Sequence, residues 1–171
     1  MATLVEILPY DPSWPRHFST ISSELRQLLG NTVVAIDHIG STSVPGLSAK
    51  PLIDIDVTVN GLADIPAASA TMIEAGYDPR GNRYGDDVWA FLQSGSTPKQ
   101  RVYLCPPDNE THRRRLVFRD YLRNHDDMTA AYARLKERLA KQFPYDGDRY
   151  TAEKSGFIND VIERARSTGC F

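Results

Sequence analysis

Residues 38–59 read HIGSTSVPGLSAKPLIDIDVTV and join a turn of small and hydroxyl-bearing residues to an apolar strand. The strand carries two acids two positions apart, Asp54 and Asp56. Alternate side chains of a strand share a face, so these acids point the same way. The opposite face is apolar throughout: Ile53, Ile55, Val57 and Val59. A strand with such a face is typical of the middle of a sheet, which predicts an α/β fold around residues 52–59.

The turn and the acids together are typical of a site that handles phosphate groups. Gly40 and Ser41 offer backbone N–H groups and a hydroxyl that can grip phosphate oxygens. Two carboxylates on one face suit a divalent cation, Mg²⁺ or Mn²⁺. Paired metals can clamp the attacking and leaving oxygens of a nucleotidyl transfer. We therefore interpret Asp54 and Asp56 as metal ligands and catalytic residues of a nucleotidyltransferase site.

Other interpretations of the same residues stay open. An Asp-x-Asp pattern also occurs on strands whose polar face is solvated. Here the apolar flanks indicate burial, where carboxylates are costly unless they are paired or metal-bound. His38 can act as a catalytic acid–base group or contact a phosphate. It can equally brace the turn through a backbone hydrogen bond.

Several motifs in order resemble the GrpB family, which is assigned to the DNA polymerase beta-like nucleotidyltransferase superfamily. They are the stretch at 38–57, VEILPYDPSW at 5–14, FRDYLR at 118–123, Tyr132 with Leu135-Lys136, and YTAEKSGF at 150–157. The resemblance covers nearly the whole chain and implies one nucleotidyltransferase-like domain over residues 1–171. It implies a small mixed sheet packed by helices, with a helical C-terminal third. The same family also occurs as a domain fused to dephospho-CoA kinase.

The resemblance also implies which residues contact an anionic substrate. Its motifs hold four basic residues: Arg119, Arg123, Lys136 and Lys154. Arginine suits this role because its planar fork grips phosphate or carboxylate at two points. We favour Arg119, Lys136 and Lys154 over Arg113–Arg115, since consecutive helical residues point in different directions and the three arginines cannot all face inward. The expected substrate-binding set is Gly40, Ser41, Thr42, Lys50, Tyr103, Arg119, Arg123, Lys136 and Lys154.

The third carboxylate of an orthodox nucleotidyltransferase site is absent from the strand on which we expect it. In the superfamily that this chain resembles, a neighbouring strand supplies a third carboxylate, and we expect that strand at residues 101–105. It carries Arg101 and Tyr103, where the resembling family tends to place histidine. Nearby acids that can substitute are Asp86, Asp87 and Glu6. Two alternatives to metal-dependent transfer follow: a module that only binds a nucleotide or coenzyme A-like anion, and an enzyme whose acids do metal-free acid–base chemistry.

The remaining patterns predict ordinary structural roles. Asp11 followed by Pro12 predicts a helix start, and the helix is expected to run to Leu29. Strands are expected at 33–39, 52–59, 88–92 and 101–105. The polar loop at 80–87 is expected to be solvated, and so are three histidines: His17, His112 and His125.

Composition narrows the partners that we expect. Lys and Arg total 20 against 22 Asp and Glu, a formal net charge of −2, which gives no support to bulk nucleic-acid binding. Cys105 and Cys170 fit neither a metal spacing nor a disulfide framework. No apolar run approaches the length of a membrane span, and no leader pattern opens the chain. We expect a cytoplasmic protein with a small anionic ligand and no membrane partner.

Overall fold

A computed structural model describes residues 2–169, which form a five-stranded mixed sheet with helices on both faces. The strands are β1 Val33–Ile39, β2 Leu52–Val59, β3 Asp78–Gly81, β4 Trp89–Gln93 and β5 Lys99–Cys105. Their order is β1-β2-β5-β4-β3, so β2 is internal, as its sequence predicts. Only the β2–β5 pair is parallel, and the other neighbours are antiparallel. The expected mixed α/β fold is confirmed.

Within residues 2–169, one α-helix precedes β1, a second lies between β2 and β3, and four α-helices follow one another after β5. They are α1 Trp14–Leu29, α2 Ile65–Glu74, α3 Glu110–Arg123, α4 Asp126–Gln142, α5 Gly147–Glu153 and α6 Ser155–Ser167. The helix start predicted at Asp11 is wrong. The Asp11 carboxylate instead accepts a hydrogen bond of 2.8 Å from the Ser13 N–H, which forms a turn just before α1. No helix in this described range is long and apolar enough to cross a bilayer.

The apolar face of β2 forms the centre of the main core. Ile53, Ile55, Val57 and Val59 are all 0% exposed. They pack with buried residues of α1 and α2, which confirms the predicted alternation along the strand. Burying one such side chain contributes about 2 kcal/mol relative to leaving it in water. This face therefore fixes the orientation of β2 and sends Asp54 and Asp56 to the opposite face.

The opposite face of the sheet lies beneath the C-terminal helices. Helix α3 packs on α6 through Val117, Ile162 and Ala165. Helix α4 contributes Tyr132 to a second cluster with Val44 and Leu47 from the segment after β1. Because α3 carries side chains that reach Asp56, this layer encloses the polar face of β2.

Strand β3 occupies part of the segment that we assigned to a loop. Asp78 pairs with Leu92 and Gly81 with Ala90, at the edge of the sheet. Pro79 and Gly81 have low strand propensity and all four residues are exposed, so the sequence offers no alternation there. Cys105 is a buried free thiol. The expectation for Cys170 falls outside the described residues.

Candidate functional site

The turn after β1 lies directly against Asp54. Gly40 has a φ of +72°, and a Cβ at this position would lie 2.7 Å from Asp54 Oδ2. Only glycine tolerates both the left-handed backbone and so close an approach. Ser43 N–H donates to the Gly40 carbonyl at 3.1 Å, which closes the turn. Val44 and Leu47, just after the turn, pack in one cluster with Tyr132 of α4, so the turn is tied to the helical layer.

Asp54 is a carboxylate with an unused oxygen. Its Oδ1 has no solvent access and no hydrogen-bond partner within residues 2–169. Burial raises the pKa of Asp54, and the positive charges of Arg101, Arg115 and Lys154 oppose that rise. Buried polar atoms of native proteins normally have hydrogen-bond partners. The unpartnered Oδ1 of Asp54 is therefore a candidate position for binding a ligand, an ion or a proton.

Asp56, in contrast, has both oxygens occupied. It is 0% exposed. Arg115 Nη1 donates to Oδ1 at 2.7 Å, and His112 Nδ1 donates to Oδ2 at 2.8 Å. The prediction that His112 is solvated is therefore wrong. Our preference against the whole run Arg113–Arg115 is wrong for Arg115, because its side chain points at the sheet.

The partners of Asp56 could have been found from the spacing of the basic residues along α3. His112, Arg115 and Arg119 follow one another at intervals of three and four residues, which places them on one face of a helix. We weighed the arginine run as a unit, and this periodicity was missed.

A third acid lies beside the pair, on β1, a strand that we predicted but did not consider as the source of a third carboxylate. Asp37 of β1 is directly opposite Asp56 in the antiparallel register. Its Oδ2 is 3.5 Å from His112 Nε2, and its Oδ1 is 4.0 Å from Arg119 Nη1. Asp86, one of the substitutes suggested by the sequence, instead accepts a hydrogen bond of 2.8 Å from Thr111 Oγ1.

Basic side chains surround Asp54, and we call five of them the cationic cluster: Lys50, Arg101, Arg115, Lys136 and Lys154. Lys50 and Lys154 lie over the ring of Tyr150, with their Nζ atoms 4.5 and 4.4 Å from its centre. Burial, followed by the charge of Lys50, lowers the pKa of Lys154 to about 8. In the described part of the chain, neither ammonium group has a hydrogen-bond acceptor.

Two other members of the cluster, Arg115 and Lys136, are held by contacts with protein groups. Arg115 lies 4.1 Å over the ring of Tyr103, which places Tyr103 under the ion pair with Asp56. Lys136 donates to the Ser48 carbonyl and lies 4.8 Å from the centre of the Tyr132 ring. Burial and the nearby Lys154 lower the pKa of Lys136 to about 7.

Four residues of the predicted set, His38, Thr42, Arg119 and Arg123, lie beside β1 at the edge of the sheet instead. His38 pairs in register with Ile55, so its side chain is on the face opposite the acids, where it stacks on Phe18 at 4.7 Å. Its Nε2 is hydrogen-bonded to Thr42 Oγ1 at 2.9 Å, so His38 contacts the turn through a side-chain hydroxyl and not through the backbone bond that we expected. Arg119 Nη1 donates to the His38 carbonyl at 3.0 Å, and Arg123 Nε donates to the Ser43 carbonyl at 2.9 Å.

The residues around the acids do not form a two-metal centre in this arrangement. Both oxygens of Asp56 already accept charge-assisted hydrogen bonds from Arg115 and His112. Strand β5 brings Arg101 and Tyr103 beside the pair rather than a carboxylate. Across residues 2–169, no group of three or more His, Cys, Asp or Glu side chains could hold a metal ion. Metal binding at Asp54 and Asp56 therefore stays a prediction.

Comparison with known proteins identifies relatives that match almost the full length of this chain. The model of the family described as GrpB protein matches residues 4–164. The UPF0157 protein YqkA of Bacillus subtilis is 33% identical over 95% of this chain and 47% of its own length. The UPF0157 protein PA4798 of Pseudomonas aeruginosa is 34% identical over 94% and 67%. A dephospho-CoA kinase of Mycolicibacterium paratuberculosis is 29% identical over 94% of this chain and 46% of its own length.

Two solved structures have a fold similar to that of this chain. The conserved protein GrpB from Enterococcus faecalis superposes with a TM-score of 0.87 at 28% identity, covering 97% of this chain and 100% of that one. Cid1 in complex with a UTP analogue superposes with a TM-score of 0.54 at 12% identity, covering 79% of this chain and 43% of that one. The similarity to Cid1 shows a shared fold.

Proposed function

The chain belongs to the GrpB family, and from this premise we propose that it binds a small phosphate-bearing anion, in the first instance a nucleotide, at Asp54 and the cationic cluster. The observation that carries the proposal is the unmatched charge of Lys50 and Lys154. Their ammonium groups lie near Asp54 and have no acceptor within residues 2–169. An anion that enters between them would supply the missing acceptors.

The balance of charge supports an anionic ligand with more than one charge. Arg115 and His112 are committed to Asp56. Lys50, Arg101 and Lys154 are then opposed mainly by the single charge of Asp54, whereas Lys136 is attracted by Glu137. Burial and mutual repulsion lower the pKa of Lys50 and of Lys154, which is the expected response of cations that lack counter-charges. A polyphosphate would supply the missing counter-charges.

The turn at Gly40 supports a phosphate in particular. Gly40 and Ser41 bring backbone and a hydroxyl beside Asp54. A nucleotide is the leading candidate because the fold is shared with Cid1, which was solved with a UTP analogue. Coenzyme A is a second probe, since one relative is a dephospho-CoA kinase.

A second candidate is proton transfer by Asp54 on the bound ligand, without metal. The raised pKa and orphan Oδ1 of Asp54 favour it, because a buried carboxyl whose proton is held more tightly can act as a general acid or base. In this case Asp54→Asn abolishes conversion of the ligand while binding persists.

Titration calorimetry with UTP, ATP, coenzyme A and inorganic pyrophosphate, each with and without Mg²⁺, tests the proposal. We expect Lys154→Gln to weaken binding by about tenfold or more, as loss of a charged contact costs about 1.5–3 kcal/mol. The matched control is Lys141→Gln, at an exposed position near the end of α4. If no probe binds, or if both variants bind alike, the proposal is wrong. Binding that depends on Mg²⁺ and is lost in Asp54→Asn supports the predicted metal site.

A further inference from the structure

The edge of β1 carries a cavity that is not lined by Asp54 or Asp56. It has a volume of about 290 Å³ and lies between the start of α1 and the end of α3. Its lining includes Tyr10, Phe18, Asp37, His38, Arg119 and Arg123. Ile36 also lines it, and the side chains of Ile36 and His38 point to the face of β1 opposite Asp37, so the cavity extends around the edge of the strand. The volume is at the lower end of the range for ligand pockets, about 300–1,000 Å³.

Arg123 offers a free guanidinium edge at this cavity. Its Nε is used by the Ser43 carbonyl at 2.9 Å. Its Nη1 is 4.0 Å from Asp120 Oδ1, beyond hydrogen-bond distance. Within residues 2–169, no acceptor lies within hydrogen-bond distance of either Nη atom. Two parallel N–H groups of this kind match the two oxygens of one carboxylate.

The surrounding charges limit the ligand to a single negative charge. Arg119 Nε donates to Asp120 Oδ1 at 2.7 Å, and Arg119 Nη1 is 4.0 Å from Asp37 Oδ1. Two arginines therefore face two aspartates, and a dianion would be repelled by Asp37 and Asp120. Burial and the two arginines lower the pKa of His38 to about 4, so its ring is neutral near pH 7 and adds no charge.

The remaining walls are apolar and aromatic. Phe18 and the His38 ring stack in parallel with a 4.7 Å separation, and Tyr10 and Ile36 complete the lining. Flat apolar walls of this kind favour a planar or branched hydrocarbon body. We infer that the β1-edge cavity binds a small monocarboxylate with an aromatic or branched apolar body, held by the free edge of Arg123.

Benzoate is the probe for this site, and inorganic phosphate is the comparison ion. We expect benzoate to shift the amide resonances of residues 36–43 and 118–123 in ¹H–¹⁵N spectra. Arg123→Gln should weaken benzoate binding by about tenfold or more. Arg123→Lys keeps the charge and removes the fork, so it should fall between wild type and Arg123→Gln. The matched control is Arg134→Gln, at an exposed position on α4.

The outcomes distinguish this site from the proposed nucleotide site. Lys154→Gln should leave benzoate binding unchanged, whatever it does to nucleotide binding. The inference is overturned if benzoate shifts no resonance in these segments or if Arg123→Gln binds it as tightly as wild type. It is also overturned if phosphate shifts the same resonances with equal affinity, since the cavity would then be a general anion site.

Discussion

Arg115 Nη1 and Asp56 Oδ1 are 2.7 Å apart, and the Asp56 side chain is 1% exposed. The pair joins the middle of α3 to the central strand of the sheet. His112 approaches the other oxygen of the same carboxylate at 2.8 Å. Asp56 is therefore held by protein cations and donors, whereas Asp54, two residues earlier, retains an oxygen without a partner. Although the sequence presents the two acids as equivalents, the fold gives them different environments.

Asp56→Asn should destabilise the protein. The substitution leaves the guanidinium of Arg115 beside a neutral amide in a largely enclosed position, and breaking a buried pair typically costs about 3–5 kcal/mol. Because the Arg115 side chain is 27% exposed, we expect a loss of about 2 kcal/mol in the free energy of unfolding. Urea denaturation in metal-free buffer measures it, and a loss below about 0.5 kcal/mol would contradict the structural role of Asp56.

Asp54→Asn, unlike Asp56→Asn, should not destabilise the protein. Burial raises the pKa of Asp54, so its charged form is costly in the folded protein, and an amide removes that cost. We expect an unchanged or increased free energy of unfolding at pH 7 in the same urea experiment. A loss as large as that of Asp56→Asn would show that Asp54 also acts as a structural ion.

Gly40→Ala should be more destabilising than Gly46→Ala. Both glycines have positive φ, +72° and +81°, so both substitutions strain the backbone, and the ψ of −175° at Gly40 lies in a region that is almost confined to glycine, at a cost of about 1–3 kcal/mol. A Cβ on Gly40 would also lie 2.7 Å from Asp54 Oδ2, whereas a Cβ on Gly46 would meet nothing within 4 Å. Thermal and urea unfolding of the two variants measures the combined cost of the backbone conformation and the contact with Asp54. Equal losses would contradict the close approach of the turn.

The stability of the folded protein should rise with pH because of Lys136. Burial lowers its pKa to about 7, below the unfolded value of 10.5. Between these values the unfolded state binds more protons than the folded state, so the free energy of unfolding increases with pH, by at most about 1.4 kcal/mol per unit for one group. Lys136→Met should remove this part of the slope between pH 7 and 10. An unchanged slope in the variant would contradict the lowered pKa.

Binding of an anion at the cationic cluster should weaken at alkaline pH. The pKa of Lys154 is about 8, so its positive charge is present below that value and lost above it. We expect the affinity for UTP to fall as the pH rises from 7 to 9, by up to tenfold per unit above the pKa. Calorimetry at four pH values measures it, and Lys154→Gln should have a flatter profile. A wild-type profile as flat as that of the variant would contradict a direct role for Lys154.

The sequence by itself determined the fold and the position of the turn. The alternation Ile53, Ile55, Val57 is set by the period of a strand, which is a local property, and it correctly made β2 internal. The same period placed Asp54 and Asp56 on the polar face. Gly40 was predicted as part of a phosphate-type turn, and its contact with Asp54 gives that position a further structural reason. Strand β3 was missed because Asp78–Gly81 has neither alternation nor strand propensity.

Only the tertiary structure decided which charged groups meet. The rotation of α3 about its axis is set by packing of Val117 on α6, and this turns Arg115 and His112 toward Asp56. The position of β1 at the edge of the sheet separates His38, Arg119 and Arg123 from the acid pair and gives them a cavity of their own. Local patterns fix the face of an element, but the partners across that face depend on how distant elements pack, so the site divides into two in a way that no motif could reveal.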